Sequence, residues 1–322
     1  MYYLSVDGGG SKTAFLITDE MGHTMVETIS DGCSYPQIGI DGVARVISTE
    51  LECLLDKTGL RRSDIKGAVF GLPCYGEDRE ADRELERIVL KAVGLSEAYV
   101  HNDVELGWAG SLGLSSGIHV VAGTGAIAYG RDIEGNSCRS NGWHEDFSDE
   151  GSGYWLGMQA LSLFSKQSDG RAEKSFLYKR MKEVLGIADV DELVPLYVAE
   201  YRGNRKKIAA LQKVLLEAAK EGDASAVILY HEAAAELADS IRAVASNLYF
   251  GENIPIPVSY SGGVFFAGEF IMKSLKDRLD GGLFDVREPL LKPVQGGILL
   301  AAGHMVPDAV QSIRSVLVGS ST

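Results

Sequence analysis

The stretch Ser5-Val6-Asp7-Gly8-Gly9-Gly10-Ser11-Lys12-Thr13 decides how the chain is read. Leu4 and Val6 lead into it, and Ala14-Phe15-Leu16-Ile17 lead out. Both apolar flanks are too short for helices and suit strands, so the stretch reads as strand, tight turn, strand. Three successive glycines permit positive φ angles and close approach of a bulky anion. Their N–H groups, with the hydroxyls of Ser11 and Thr13, form a concave donor surface suited to phosphate. Asp7, ending the first strand, suits a Mg²⁺ ion held through water, because that ion takes few carboxylates alongside waters and phosphate oxygens. A glycine-rich turn by itself is commonly a plain hairpin. A P-loop is excluded, because that motif needs glycine directly before the lysine and a helix afterwards. Here Ser11 separates Gly10 from Lys12, and strand residues follow.

A matching turn later in the chain favours the phosphate reading. Up to Leu112 the pattern is β-β-β-α-β-α-β-α. The third strand runs from about His23 to Ser30, and Asp41 is expected to cap the first helix. Ile65 to Leu72 is a strand, followed by a charged helix to Val93. A short strand from Ala98 ends at Asn102-Asp103, where another helix begins. The order then restarts, with a strand over Ile118–Ala122, a turn at Gly123-Thr124-Gly125, and a strand over Ala126–Arg131. A hairpin turn and a short strand over Ser137–Ser140 follow. A long helical stretch comes next, its longest segment about Ala224 to Leu248. A strand over Pro255–Ser261 closes on Gly262-Gly263. A helix, a strand and a last helix at about Val294 to His304 finish the chain. Two glycine turns in the same hairpin context suggest an internal duplication, with two halves facing each other across a ligand cleft.

Bulk properties bound the function. A chain of 322 residues suggests about two domains. Net charge of −14 argues against a nucleic-acid partner, whose binding rests on Lys and Arg neutralising phosphates, but not against a nucleotide. No apolar run reaches the roughly 18 residues of a membrane helix, and no basic-then-apolar leader precedes Tyr2. A cytoplasmic protein without a membrane partner is therefore expected. Cys33, Cys53, Cys74 and Cys138 are far apart and form no CxxC pair, so neither a zinc pattern nor a disulfide framework is present, and reduced thiols are expected.

Four further places carry chemistry. Gly123-Thr124-Gly125-Ala126 resembles a dinucleotide fingerprint, but that motif requires a helix directly after the glycines. A hairpin follows here, so the segment reads as a second phosphate turn with Thr124 as a hydroxyl donor. Asn102-Asp103 lies at a strand C-terminus beside a helix N-terminus. Asp103 there reads either as an N-cap or as a carboxylate facing the ligand crevice, able to deprotonate a hydroxyl. The segment Asn141 to Trp155 packs two tryptophans and four carboxylates into a glycine-bearing loop before a helix. Carboxylates that accept from hydroxyls, beside an aromatic face, suit a sugar; Glu150-Gly151-Ser152 equally suits a helix cap, and His144 reads as a loop histidine. Gly262-Gly263 reads either as a place of close backbone approach to an adenine ring or as a tight strand-to-helix turn. The charged runs Asp78 to Arg87 and Arg202 to Lys207 read as solvated faces.

With these residues in view, the chain resembles the N-acetylglucosamine kinases of the BadF/BadG/BcrA-type ATPase family, within the actin–hexokinase–Hsp70 superfamily. The motifs that carry the resemblance are Asp7 to Thr13, Asn102-Asp103, Gly123-Thr124-Gly125, Gly142-Trp143, Asp149-Glu150-Gly151-Ser152 and Ser261-Gly262-Gly263. It implies an α/β, actin-like ATPase (ribonuclease H-like) fold, with two duplicated domains around an ATP cleft. The N-terminal domain would span 1–117 and the C-terminal domain, with its helical insertion, 118–293. The last helix, about 294–306, would pack back on the first. It implies ATP and Mg²⁺ as cofactors, transfer of the γ-phosphoryl group to the 6-hydroxyl of an amino sugar, and a homodimer. The implied sugar is N-acetylglucosamine or a close relative, such as glucosamine or N-acetylmuramate. Asp103 would be the general base. Gly9, Gly10, Ser11, Lys12, Thr13, Thr124, Gly125, Gly262 and Gly263 would contact ATP. Ser34, Asp103, Gly142, Trp143 and Asp149 would contact the sugar.

The departures from the family pattern cluster on the sugar side. Ser34 stands where the family places an asparagine, and His144 where it places a glycine. A second reading is an ATPase activator of a dehydratase, which shares an iron–sulfur cluster across a dimer and would draw on Cys74 and Cys138. A sugar-sensing repressor is not expected, since it needs a helix-turn-helix and strand residues begin at Tyr2, and the cysteine-rich zinc motif of ROK-type sugar kinases is missing.

Overall fold

The computed structural model describes residues 1–320. In chain order its strands are β1 (Tyr2–Gly8), β2 (Lys12–Asp19), β3 (Thr24–Asp31), β4 (Ile65–Leu72), β5 (Ala98–Asn102), β6 (Gly117–Ala122), β7 (Ala126–Arg131), β8 (Ser137–Asn141), β9 (Ile256–Ser261) and β10 (Phe284–Val286). The α-helices are α1 (Tyr35–Ile38), α2 (Ile40–Thr58), α3 (Arg79–Val93), α4 (Asp103–Leu112), α5 (Gly153–Ser168), α6 (Phe176–Leu185), α7 (Leu193–Leu196), α8 (Arg205–Ala210), α9 (Gln212–Lys220), α10 (Ala224–Asn247), α11 (Glu269–Leu279), α12 (Pro293–Met305) and α13 (Val310–Gly319).

The chain divides into two compact units, Met1–His119 with Glu288–Thr322, and Val120–Arg287. Each centres on a five-stranded sheet, ordered β3-β2-β1-β4-β5 in one and β10-β9-β6-β7-β8 in the other. Read from its far edge, the second order repeats the first: third, second, first, fourth, fifth strand of each set. The duplication suggested by the paired glycine turns is thus present at the level of sheet topology.

In the first unit, β1 and β2 pair antiparallel, while β1, β4 and β5 run parallel. Parallel strands need a crossover of a dozen or more residues, and α2 and α3 supply it. α2 buries Val43, Ile47, Leu51, Leu54 and Leu55, one stripe at helical spacing, against Leu4, Val6, Phe15, Ile17 and Phe70 of the sheet. Its N-cap is Gly39, and Asp41 sits inside the first turn with no capping bond, so the expected cap falls two residues early. Asp41 still lies where a carboxylate favours the helix dipole. α12 packs on β1, β4 and α4. It does so through Gly296 and Gly297, where a Cβ would collide with the Leu106 carbonyl and with Ser5 Oγ respectively. The chain does not end there, because α13 buries Ile313 and Leu317 beyond it.

In the second unit, β7 and β8 are antiparallel and β9 and β10 parallel. The longest helix, α10, packs on β7, β8 and α11. α8 lies against α5 at Gly153 and Gly157, where a Cβ at Gly157 would strike the Ile208 carbonyl.

Candidate functional site

The parallel register aligns strand ends in the first unit. Asp7 lies beside Gly71, Gly71 beside His101, and Leu72 beside Asn102. The C-terminal ends of β1, β4 and β5 therefore carry Asp7, Pro73-Cys74 and Asn102-Asp103 to one edge, where ligands of open α/β sheets bind. Gly71 keeps this edge close: a Cβ there would lie 3.2 Å from Asp103 Cα and 2.7 Å from a Leu106 methyl.

The turn linking β1 to β2 holds a correction. None of Gly8, Gly9 and Gly10 adopts a positive φ. They are needed for space. A Cβ at Gly8 would strike Cys33 Sγ and lie 2.8 Å from the Gly71 carbonyl, and one at Gly10 would lie 3.2 Å from Gln37 Nε2. The loop after β3 presses against the turn: Cys33 N donates to the Gly9 carbonyl at 3.0 Å. Ser11 and Lys12 are exposed at the tip. Thr13, expected among the phosphate donors, is fully buried, and its hydroxyl donates to the Asp31 carbonyl at 2.7 Å. It ties β2 to β3 and has no second proton to offer a ligand. Ser34 is buried at the start of α1, beside Cys33.

Asn102 resolves the two readings of Asp103. Its side chain is the N-cap of α4, accepting from Val104 N at 3.0 Å, while Glu105 returns a bond to Asn102 N. Asn102 Nδ2 also donates to the Tyr75 carbonyl at 2.6 Å. Asp103 is the first helical residue, and its partly buried carboxylate is not the cap. Desolvation raises its pKa to about 7, with Glu77 adding repulsion. Asp7 is raised to about 8 by desolvation and then by the Asp103 charge, against a lowering by Lys12. Two carboxylates this short of positive charge form a place for a cation or a proton. Among the described residues no group of three His, Cys, Asp or Glu side chains is arranged to hold a metal by itself. A Mg²⁺ ion needs no such cage, because phosphate oxygens and waters complete its shell, so the residues here fit it.

In the second unit the Gly123-Thr124-Gly125 turn is held from below. Gly123 N donates to the Gly125 carbonyl at 2.9 Å, and the carbonyls of Gly123 and Thr124 accept from Gly153 N and Tyr154 N at 2.8 and 3.1 Å. A Cβ on Gly123 would meet nothing within 4 Å, so its outer face is open. Gly262 adjoins this turn. With φ +111°, it lies where a Cβ would collide with the Ala122 carbonyl and sit 2.8 Å from Gly123 N. The ends of β6 and β9 thus meet through glycine, and Gly263 beside them also faces open space.

The loop after β8 is organised by Asn141, a residue that sequence reasoning left without a role. At φ +68°, its Oδ1 accepts from Gly142 N, Ser148 Oγ and Asp149 N at 2.7–2.8 Å, and Nδ2 donates to the Glu150 carbonyl at 3.1 Å. The signal was available, since asparagine tolerates the left-handed region and bonds local backbone. Trp143 is 58% exposed, with the Arg139 guanidinium 4.3 Å over its ring. His144 is exposed and stacks on Phe147. Ser152 caps α5 by accepting from Trp155 N at 3.0 Å.

Asp149, expected at the sugar, is 4% exposed. Its Oδ1 accepts from Ala126 N at 3.0 Å, and its Oδ2 pairs with the Arg205 guanidinium. Both oxygens brace the glycine turn from inside, so a sugar hydroxyl would have to share them with Ala126 N and Arg205. Arg205 also reaches Glu145 at 3.4 Å. It therefore does not belong to a solvated face, although the rest of the Arg202–Lys207 run is largely exposed. Desolvation raises the Asp149 pKa against the lowering by Ala126 N and Arg205. Cys74 and Cys138 fall in different units.

This chain belongs to the BadF/BadG/BcrA/BcrD ATPase family, whose profile matches residues 4–301. It is 31% identical over 264 residues to the N-acetylmuramic acid/N-acetylglucosamine kinase of Clostridium acetobutylicum, covering 82% of this chain and 85% of that protein. It is 29% identical over 269 residues to the N-acetyl-D-glucosamine kinase of Dictyostelium discoideum, covering 81% and 84%. A Chromobacterium violaceum structure, whose N-acetylglucosamine kinase assignment is itself provisional, superposes with a TM-score of 0.77 at 25% identity, covering 93% of this chain and 98% of that one. The fold is that of the actin-like ATPases, and ATP use follows from the family. No helix among the described residues is long and apolar enough to cross a membrane.

Proposed function

We propose that the protein is an ATP-dependent sugar kinase that phosphorylates the 6-hydroxyl of N-acetylglucosamine or a close relative. The observation that carries the reading is Asp103. It is a carboxylate at a strand C-terminus, freed from capping by Asn102, with its pKa raised to about 7. A base works best when its pKa lies near the working pH. Ionised Asp103 accepts the proton of the sugar hydroxyl as that oxygen attacks the γ-phosphorus and the bond from the γ-phosphorus to the β-phosphate oxygen breaks, releasing ADP. In the first unit the exposed Ser11 and Lys12 and the N–H groups of Gly9 and Gly10 are assigned to the phosphates, and in the second unit the Thr124-Gly125 turn is assigned to them. Phosphoryl transfer depends chiefly on such positioning and on charge stabilisation. Asp7 would hold Mg²⁺ through water, and that ion would supply the countercharge that both the phosphates and the raised Asp7 lack. Ser34, Gly142 and Trp143 are assigned to the sugar, with the Trp143 ring covering its apolar side. Gly262 and Gly263 are assigned to the adenosine. The two amino-sugar kinase relatives, matched over 85% and 84% of their lengths, support the acceptor class. A homodimer is carried over with the family resemblance, and sedimentation checks it.

The test is coupled ADP release over a panel of N-acetylglucosamine, N-acetylmuramate, glucosamine and glucose, with phosphorus NMR on the product. An amino sugar should give the highest kcat/KM and a 6-phosphate. Sugar-independent ATP hydrolysis alone would overturn the proposal.

A further inference from the structure

Phe266 is 86% exposed, more than any other large apolar side chain among the described residues. It lies on a single 3₁₀ turn, Gly263–Ala267, that starts at the end of β9. The turn is firmly seated. Val264, Phe265 and Ala267 are buried, the Phe265 ring lies 4.8 Å from Tyr260, and Gly268 N closes the turn on the Phe265 carbonyl at 3.0 Å. Only Phe266 points outward, so its exposure is fixed by a rigid mount rather than by a loose loop.

A 3₁₀ helix has three residues per turn, so positions i and i+3 eclipse. Phe266 therefore projects from the same side of the turn as Gly263, where a Cβ at Gly263 would meet nothing within 4 Å. Bare backbone and one aromatic ring form the outer face of this turn, and Gly-Val-Phe-Phe-Ala brings no side-chain hydrogen-bonding group to it. Its first residue follows Gly262, which touches the Gly123 end of the second glycine turn. A planar ring joined to phosphates would lie on such a surface, whereas a sugar would find no side-chain partners for its hydroxyls.

We infer that Phe266 is the stacking wall for the nucleotide base, with the open Gly263 backbone as the floor beside it. The inference rests on assigning the Gly262-Gly263 turn to the nucleotide. Recognition here is by ring face, not by hydrogen bonds to the base edge. Purines, with the larger ring area, are held better than pyrimidines, and this element discriminates little between adenine and guanine.

The experiment measures binding of ATP, CTP and inorganic tripolyphosphate to the intact protein by calorimetry, without sugar, for the wild type, Phe266→Ala and Phe266→Trp. Phe266→Ala should weaken ATP by about tenfold, the scale of one lost base–aromatic stack. Its tripolyphosphate affinity should stay unchanged and its ATP-over-CTP preference should shrink, while Phe266→Trp restores ATP binding. Equal loss for ATP and tripolyphosphate would show a structural or phosphate role and overturn the inference, as would unchanged ATP binding. Failure of the wild type to bind ATP would overturn the nucleotide assignment itself. Sugar-dependent turnover is not used, so the kinase proposal can fail separately.

Discussion

The Arg205 guanidinium pairs with Asp149 Oδ2 while Asp149 Oδ1 accepts the Ala126 amide, so an arginine from the helical insertion braces the turn between β6 and β7. The two residues are 56 positions apart in sequence. Arg205→Ala leaves a nearly buried carboxylate without its partner. The Arg205 side chain is 32% exposed, so solvent screens part of the penalty, and a loss of about 2 kcal/mol is expected instead of the roughly 3–5 kcal/mol of a fully buried pair. Urea unfolding measures it. Adding Asp149→Asn to Arg205→Ala should recover stability, because no lone charge remains; additive losses would show that the pair is not coupled.

Asp103 and Asn102 are neighbours with separable roles. Asp103→Asn should lower kcat by about 10²–10⁴-fold, the range for a general base, with melting temperature little reduced because the cap survives. Asn102→Ala should instead cost about 1 kcal/mol as the cap is lost, and more if the Tyr75 contact goes with it. Wild-type kcat should rise with pH through an inflection near 7, and Asp103→Asn should abolish that inflection. An unchanged profile in the variant would remove Asp103 from the chemistry.

The same two carboxylates set the pH dependence of stability. Asp103 and Asp7 hold protons in the folded chain up to about pH 7 and 8, whereas the unfolded chain releases them near the ordinary carboxylate value. The folded state therefore binds more protons from about pH 4 to 8, so stability falls as pH rises through that window and levels above it. The unliganded protein should melt at a lower temperature at pH 8.5 than at pH 6. Asp103→Asn should flatten the slope, because it removes one titration and relieves the repulsion on Asp7. A melting temperature that climbs across this range would contradict the assignment.

Gly262 and Gly263 differ in what they tolerate. Gly262→Ala combines a φ of +111° with a collision on the Ala122 carbonyl, and should destabilise by more than about 1 kcal/mol. Gly263→Ala meets no protein atom within 4 Å. Its fold should be unaffected, so any loss of ATP affinity, read by calorimetry, reports the ligand side alone.

Thr13 and Ser11 give the matching contrast in the first turn. Thr13→Val removes the bond to the Asp31 carbonyl and should cost about 1 kcal/mol in stability without changing the KM for ATP. Ser11→Ala is at an exposed tip and should raise that KM several-fold with no change in melting temperature. The reverse pattern would restore Thr13 as the phosphate contact.

The strand–turn–strand reading at Asp7, its repeat at Gly123 and the succession of strands were legible because each rests on local rules, whereas α5 to α9 were read as one helical stretch and α1 and α13 were missed. Alternating burial, glycine punctuation and the helical spacing of Val43, Ile47, Leu51, Leu54 and Leu55 need only neighbours along the chain. What was misread depended on distant partners. The first three glycines look like turn residues, yet their use is to admit Cys33, Gly71 and Gln37. Thr13 looks like a donor until Asp31 takes its proton. Arg205 looks solvated until Asp149 is placed beside it.

By itself the sequence determined the order of strands, the two glycine turns and the position of Asp103 at a strand end, since backbone propensity and periodicity act over a few residues. Only the tertiary structure decided which polar groups face outward for a ligand and which are consumed inside. Burial and hydrogen-bond partnership are set by residues tens of positions away, and the proton affinities of Asp7 and Asp103 follow from the water those residues exclude.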